Sequence, residues 1–376
     1  MGYGQLTAYG AEQHHELGRL IRKMYSGFLP EIYHKDEVLF RSSGTERTLM
    51  SANNFIRGFY QLEKKSTNQL PPVFSRLTHE DHLLKMSSKF SRKASTFKDF
   101  FSYLEQVSGY AFPKEKDSPE NFYPAWHICD PITIWVNHAF SSLPQWVTDD
   151  VYKKCTSLLD YKHFIRFSRP QLTRLRGGPL AGHLVDLFRE RINKEAKQND
   201  NNNAHENPSE KRSRRFVAYF AHDSTLAALL SHLGVYNGLK PPLASCLIVE
   251  LHRPSLSFKD FHVVFHYLNE TKLPFNTEKL INLWPPHCGT LNTINGQPDY
   301  SCSFTKFQSS VQGTYATDVS TECYEDNAST DRTTLPKIKP TEPRKCVENW
   351  IQLAADDATW IVLRFSLYQF PPVHSL

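Results

Sequence analysis

Residues 216–233 read FVAYFAHDSTLAALLSHL, and this stretch decides the fold. The apolar run 216–221 is typical of a buried strand, the polar residues 222–225 form a turn, and leucines then recur at helical spacing. The same order of strand, polar turn and helix occurs earlier, where EVLF at 37–40 precedes RSSG at 41–44. Two such units, separated by mostly helical sequence, predict an α/β domain that a helical domain interrupts.

The remaining sequence divides around these two units. We predict an α/β core at 1–70 and 212–270, an inserted helical domain at 71–211 with a polar Asn-rich loop at 198–210, a C-terminal part of the core at 271–325 and a tail at 326–376. Ile361, Leu363, Phe365 and Leu367 alternate with other residues, so this end could add a strand, although an unpacked terminus fits the pattern equally well.

The composition is that of a globular protein. Hydrophobic residues make up 40% and aromatic residues 13%, which is enough for a core, and the net charge of +5 is modest. The basic run 211–215 permits a nucleic-acid or nuclear-localisation role, but a solvated loop is favoured, so we predict no nucleic-acid partner. The best apolar run, 360–363, stops at Arg364, so no transmembrane segment is predicted.

Three side chains stand where ligands bind in α/β sheets, beyond the carboxyl ends of strands. Arg41 follows the first buried strand, and the pair His222-Asp223 follows the second. A guanidinium and an imidazole suit a phosphate group, and Asp223 could act as general acid towards a leaving alcohol. Turns of this composition are common, however, so the pattern alone leaves structural roles for Arg41 and Asp223 equally open.

The cysteines and glycosylation acceptors bear on compartment and cofactors. No C-x-x-C pair or zinc-ligand spacing occurs, so we predict neither a metal nor another cofactor. Asn269 and Asn327 begin glycosylation acceptors, which favour a secretory compartment, whereas Met1 to Gln5 show no signal peptide. Cys155 faces inward on its predicted helix and is interpreted as a buried free thiol.

A set of short motifs runs in order along the chain: GQLT at 4–7, GAEQH at 10–14, RS at 41–42, RTLMSA at 47–52, AHDSTL at 221–226 and GVYNG at 234–238. This set resembles the histidine acid phosphatases of the prostatic and lysosomal type, and the likeness extends to about Cys323. The resemblance implies a central, mainly parallel sheet flanked by helices, with a smaller helical domain inserted. It also implies hydrolysis of phosphate monoesters through a phosphohistidine. Arg41 and His222 would bind phosphate, and His222 and Asp223 would be catalytic, with Asp223 as the proton donor.

One departure from the family is decisive for activity. The family's nucleophile lies in an Arg-His-Gly motif shortly before the segment that matches 4–7, and none of the 17 histidines here follows an arginine or precedes a glycine. We therefore expect an N-terminally truncated form that lacks the nucleophile and the first catalytic strand and is inactive as written. The strands at 37–40 and 216–221 are expected to lose a partner.

The resemblance carries further expectations. Cys288 and Cys302 match a local disulfide of the family, Cys129 is a candidate substitute for the missing partner of Cys246, and the family partner of Cys323 is absent. No partner is assigned to Cys346.

The implied ligand is a small phosphate monoester or a phosphoprotein, the implied location is lysosomal or secreted, and the implied assembly is a homodimer. A non-catalytic anion- or protein-binding protein is the main alternative, and an unrelated α/β protein the more remote one.

Overall fold

The computed structural model describes residues 4–62, 70–77, 81, 83–84, 95–113, 121–139, 143–168, 170–200, 214–254, 260–294, 296–314 and 358–365. Its α-helices are α1 Ala8–Met24, α2 Glu46–Tyr60, α3 Lys98–Ser108, α4 Phe122–Asn137, α5 Asp149–Phe167, α6 Pro170–Arg176, α7 Gly178–Asp200, α8 Asp223–His232 and α9 Phe304–Val311. Its strands are β1 Val38–Ser42, β2 Val73–Ser75, β3 Phe216–His222, β4 Cys246–His252, β5 His262–Leu268, β6 Leu280–Leu283, β7 Asn292–Ile294, β8 Gln297–Asp299, β9 Cys302–Ser303 and β10 Ala358–Phe365. None of the helices in these ranges is long and apolar enough to cross a membrane.

The main sheet has the strand order β2-β1-β3-β10-β4-β5-β6, with β9 paired to β5. Strands β2, β1 and β3 are mutually parallel, and β10 runs antiparallel to β3 and parallel to β4. The pairs β4–β5 and β5–β6 are antiparallel. The predicted α/β class is confirmed, with parallel pairing concentrated in the half of the sheet that contains β1 and β3.

Both faces of β3 are buried, which explains why it reads as a continuous apolar run. Its alternate residues Phe216, Ala218 and Phe220 pack with α1 and α2, whereas Val217 and Tyr219 pack with α7, α8 and α9. All seven residues of β3 are buried. The position of the β3 carboxyl end is therefore fixed by helices on both sides.

Helices α1 and α2 lie unusually close together, and this contact positions the start of α2. Side-chain carbons added at Gly18 and Gly58 would collide with the backbone carbonyls of Phe55 and His15. Only glycine permits this approach. The start of α1 is fixed as well, because the side chain of Thr7 accepts a hydrogen bond of 2.9 Å from the Gly10 amide.

The helical part that packs apart from the sheet comprises α3, α4 and α5, which share one apolar cluster. Thr148 caps α5 by accepting a hydrogen bond of 3.3 Å from the Val151 amide. Cys129 on α4 forms a disulfide with Cys155 on α5, so the interpretation of Cys155 as a free thiol is wrong. Cys129 is also not a partner for Cys246, which is a buried free cysteine.

The C-terminal strand corrects the expectation of an incomplete sheet. β3 lies between β1 and β10, and β1 lies between β2 and β3, so both strands that were expected to lose a partner are paired on two sides. Within the predicted tail at 326–376, residues 358–365 form the strand that the alternating pattern permits. β3 has a paired neighbour on its second side because β10 runs alongside seven of its residues.

Several predictions concern residues outside the described ranges, among them Asn327, Cys323 and Cys346. Of the predicted Asn-rich loop at 198–210, residues 198–200 belong to α7 and the remainder lies outside those ranges. Within the predicted inserted domain at 71–211, β2 joins the sheet and α7 packs on its face. The domain boundaries stay a prediction.

Acid is expected to destabilise the fold through His14, a buried residue of α1 that lines a small cavity with His138. Burial, with a smaller effect of His138, lowers the pKa of His14 from 6.5 to about 3. Between these two values the unfolded chain binds more protons than the folded chain. Protonation of His14 therefore does not affect the free energy of unfolding above pH 6.5, and it lowers that free energy as the pH falls towards 3. In this range the free energy of unfolding decreases by about 1.4 kcal/mol per pH unit.

The measurement is urea unfolding between pH 7 and 4 for the native chain, for His14→Gln and for a control, His15→Gln, on the same helix. His14→Gln is expected to lower stability at pH 7 but to flatten its decline with acid, because the substituted residue does not titrate. A decline as steep as that of the native chain would show that His14 does not carry the acid sensitivity.

Candidate active site

The candidate site lies where β1 and β3 end side by side. β1 leads through Ser43 into α2, and β3 leads directly into α8, with His222 as the last strand residue and the N-cap of that helix. The Ser43 amide donates to the Phe220 carbonyl at 2.9 Å, which continues the parallel pairing past the end of β1. The N-termini of α2 and α8 therefore meet at this edge, which is favourable for an anion.

His222 is buried and held by groups from α2 and from the turn between β1 and α2. Its Nδ1 lies 3.4 Å from Nη2 of Arg47, and its Nε2 lies 3.2 Å from Oγ of Ser43. Because a guanidinium only donates, Nδ1 must accept and the ring proton resides on Nε2. His222 therefore directs an N–H towards Ser43 at the sheet edge, where a phosphate oxygen could replace the hydroxyl as acceptor.

Arg47 was part of a family motif in the sequence, but its position beside His222 was not anticipated. It belongs to the first turn of α2 and is 9% exposed. Its Nε is buried and has no hydrogen-bond partner among the described residues. A buried guanidinium nitrogen without an acceptor is costly, and a bound anion would satisfy it.

Arg41, the predicted phosphate-binding arginine, lies inside β1 rather than after it. Its Nη2 donates at 2.8 Å to Oδ1 of Asp81, whose side chain is fully buried. In register it stands opposite Tyr219, three residues before His222. The structure thus brings Arg47 to His222 and pairs Arg41 with a carboxylate.

Asp223 begins α8 and points towards the helical part of the molecule. Its Oδ1 accepts from the Ser224 amide at 2.5 Å. Its Oδ2 lies 2.9 Å from Nε2 of His163 on α5 and 4.0 Å from Nζ of Lys240. Sequence reasoning found His222 and Asp223 but not His163, which is 60 residues away and lies in no motif.

In the described ranges, one group of side chains is close enough together to ligate a metal ion: His287, Cys288 and Cys302. This group does not support a metal centre. These two cysteines form the disulfide that the resemblance implied. Cysteine sulfurs in a disulfide are not available as thiolate ligands.

Comparison with known proteins identifies the family. Residues 1–267 match the histidine phosphatase superfamily (branch 2). The chain belongs to this superfamily. Among curated relatives, lysosomal acid phosphatase of Xenopus laevis is 31% identical over 86% of this chain and 71% of its own length. Prostatic acid phosphatase of Bos taurus is 30% identical over 86% of this chain and 79% of its own length.

A solved member of the same fold is the phytase from Citrobacter braakii, with a TM-score of 0.55, 14% identity and coverage of 84% of this chain and 89% of that one. At this identity the likeness shows the fold alone. In this structure the ends of β1 and β3 lie side by side, with His222, Asp223 and Arg47 at the same sheet edge.

Proposed function

We propose that the chain recognises phosphate monoesters at His222 and Arg47 and that Asp223 is the acid that protonates the leaving alcohol. The supporting observation is the buried guanidinium of Arg47, which has an unpartnered Nε and lies beside the imidazole of His222. Charge-assisted hydrogen bonds from such groups are well suited to phosphate oxygens. The superfamily membership favours phosphate esters over other anions.

In the proposed reaction, the family's histidine nucleophile would attack phosphorus and water would then cleave the phosphohistidine. Residues of this chain would bind the phosphate, and Asp223 would transfer its proton to the departing oxygen. Arg41 retains its proposed phosphate-binding role, which requires that its guanidinium exchange Asp81 for a phosphate oxygen. No Arg-His-Gly sequence occurs in the 376 residues, so we propose that this chain alone does not turn over.

The proposed substrate is a small phosphate monoester or a phosphoprotein, and the proposed location is lysosomal or secreted, with a homodimer as the assembly. Two disulfides among the described residues support an oxidising compartment. The glycosylation acceptor Asn269 is exposed, as a modified residue must be. A non-catalytic anion- or protein-binding protein is the second candidate, and the absence of an Arg-His-Gly sequence from the 376 residues favours it.

Phosphate binding to the 376-residue chain tests the recognition step. Titration calorimetry at pH 5 is expected to show binding of inorganic phosphate that Arg47→Ala weakens about 10- to 100-fold, since a hydrogen bond to a charged group contributes about 1.5–3 kcal/mol. The control is Arg57→Ala, on the exposed face of the same helix, which should alter the affinity less than about twofold. Equal effects of the two substitutions would contradict the proposal.

A further inference from the structure

Asp223 is in contact with a histidine that the proposed reaction does not use. Nε2 of His163 lies 2.9 Å from Oδ2 of Asp223, and the two side chains are only 4% and 10% exposed. Nε2 makes no aligned hydrogen bond among the described residues, so its approach to Asp223 is a close charge contact. At this distance inside the protein, the protonation of one group strongly affects the other.

The other ring nitrogen of His163 fixes the number of protons in the pair. Nδ1 lies 3.0 Å from the carbonyl oxygen of Leu159, and a carbonyl oxygen only accepts, so Nδ1 carries a hydrogen. Without a second proton, the Nε2 lone pair would face a carboxylate at 2.9 Å with little water between them. This arrangement is repulsive, so the pair holds one further proton, either on Nε2 or on the carboxyl group of Asp223.

On α5 itself, Lys162, Arg166 and Asp160 face the same region. Burial, with a further contribution from Arg166, lowers the pKa of Lys162 well below its ordinary value, and its Nζ lies 3.2 Å from the ring centroid of Trp126. Burial also lowers the pKa of Arg166 and raises the pKa of Asp160. Both positive and negative charges on this helix are thus disfavoured by the same desolvation.

Other elements add charges of both signs. Lys240, which follows α8, donates to Asp130 of α4 at 2.9 Å and is therefore largely balanced. The hydroxyl of Tyr236 stays neutral, because burial and then the charge of Asp223 raise its pKa. Nε2 of His163, at 2.9 Å, is closer to Oδ2 of Asp223 than Nζ of Lys240 is, at 4.0 Å.

We propose that His163 is a positioning residue that holds Asp223 and shares with it the proton that Asp223 delivers to the leaving group. In the transfer, the O–H bond of the Asp223 carboxyl group breaks and an O–H bond forms on the departing alcohol. Nε2 is then left with a lone pair beside a carboxylate, and this repulsion draws a replacement proton from solvent. The delivery step rests on the proposed function, whereas the shared proton does not.

The test is long-range proton–nitrogen NMR on the full chain with labelled histidine, with the His163 signals assigned by their loss in His163→Gln. Nδ1 is expected to be protonated throughout pH 5–7.5. Asp223→Asn should change the Nε2 signal of His163, because an amide does not share a proton with the ring. The signals of His266, on β5 and away from the pair, serve as the control and report that the fold is retained.

A second measurement covers the case in which Asp223→Asn does not fold. The labelled carboxyl carbon of Asp223 should show a titration step in the native chain that is lost in His163→Gln. An unprotonated Nδ1, or an Asp223 titration that His163→Gln leaves unchanged, would overturn the inference. Absence of phosphate binding with the shared proton intact would instead refute the proposed function and leave the pair as inferred.

Discussion

At acidic pH, the purified 376-residue chain is expected to hydrolyse aryl phosphates no faster than a variant in which both His222 and Asp223 are replaced by alanine. The reason is that none of its 17 histidines lies in the family's nucleophile motif. In enzymes with a covalent intermediate, loss of the nucleophile can reduce kcat by a factor on the order of 10⁶, with the remainder coming from binding and electrostatics. Binding of phosphate by Arg47 and His222 is compatible with this result, because recognition and chemistry depend on different groups.

The matched experiment adds the family's Arg-His-Gly segment to the N-terminus of the same chain. Turnover is expected to rise at least about 10³-fold over the 376-residue chain, and replacing the added histidine by alanine should abolish the gain. The opposite finding, clear turnover by the 376-residue chain or a phosphohistidine trapped on it, would show that one of its own histidines is the nucleophile.

The parts of the fold that depend on local sequence could be predicted. The β3–α8 unit is recognisable because the apolar run 216–221, the polar turn and the leucines of α8 are adjacent in the chain. For the same reason His222 and Asp223 could be placed at the end of a strand. Thr148 could be predicted as a helix cap because capping depends on residues within one turn.

Pairings between distant residues could not be predicted from these patterns. Asp81 is 40 residues from Arg41, and His163 is 60 residues from Asp223, so both contacts depend on how helices and loops pack. The Cys129–Cys155 disulfide likewise depends on the approach of α4 and α5. Alternation at 361–367 permits a strand but does not specify which neighbours it pairs with.

Strand β10 carries the largest expected effect on stability, because it lies between two strands of the buried sheet. It runs alongside residues 216–222 of β3 and 246–251 of β4. Removing 358–365 would leave N–H and C=O groups of both strands without partners, and each buried unpaired group costs about 1–3 kcal/mol. Native domains are stable by only about 5–15 kcal/mol, so the loss of several such bonds is expected to unfold or aggregate the chain.

A single substitution provides the sharper experiment. In a strand with neighbours on both sides, every backbone N–H belongs to a ladder, so Val362→Pro removes a hydrogen bond and is expected to lower the stability by several kcal/mol. The control is Asn292→Pro in the exposed pair β7–β8, where little core is affected. Hydrogen exchange of the amides of 217–221 should become faster in Val362→Pro and remain slow in the control, because their protection depends on β10. Unchanged protection in Val362→Pro would mean that the protection of β3 does not depend on β10. It would then support the original prediction that the strand at 216–221 lacks a partner.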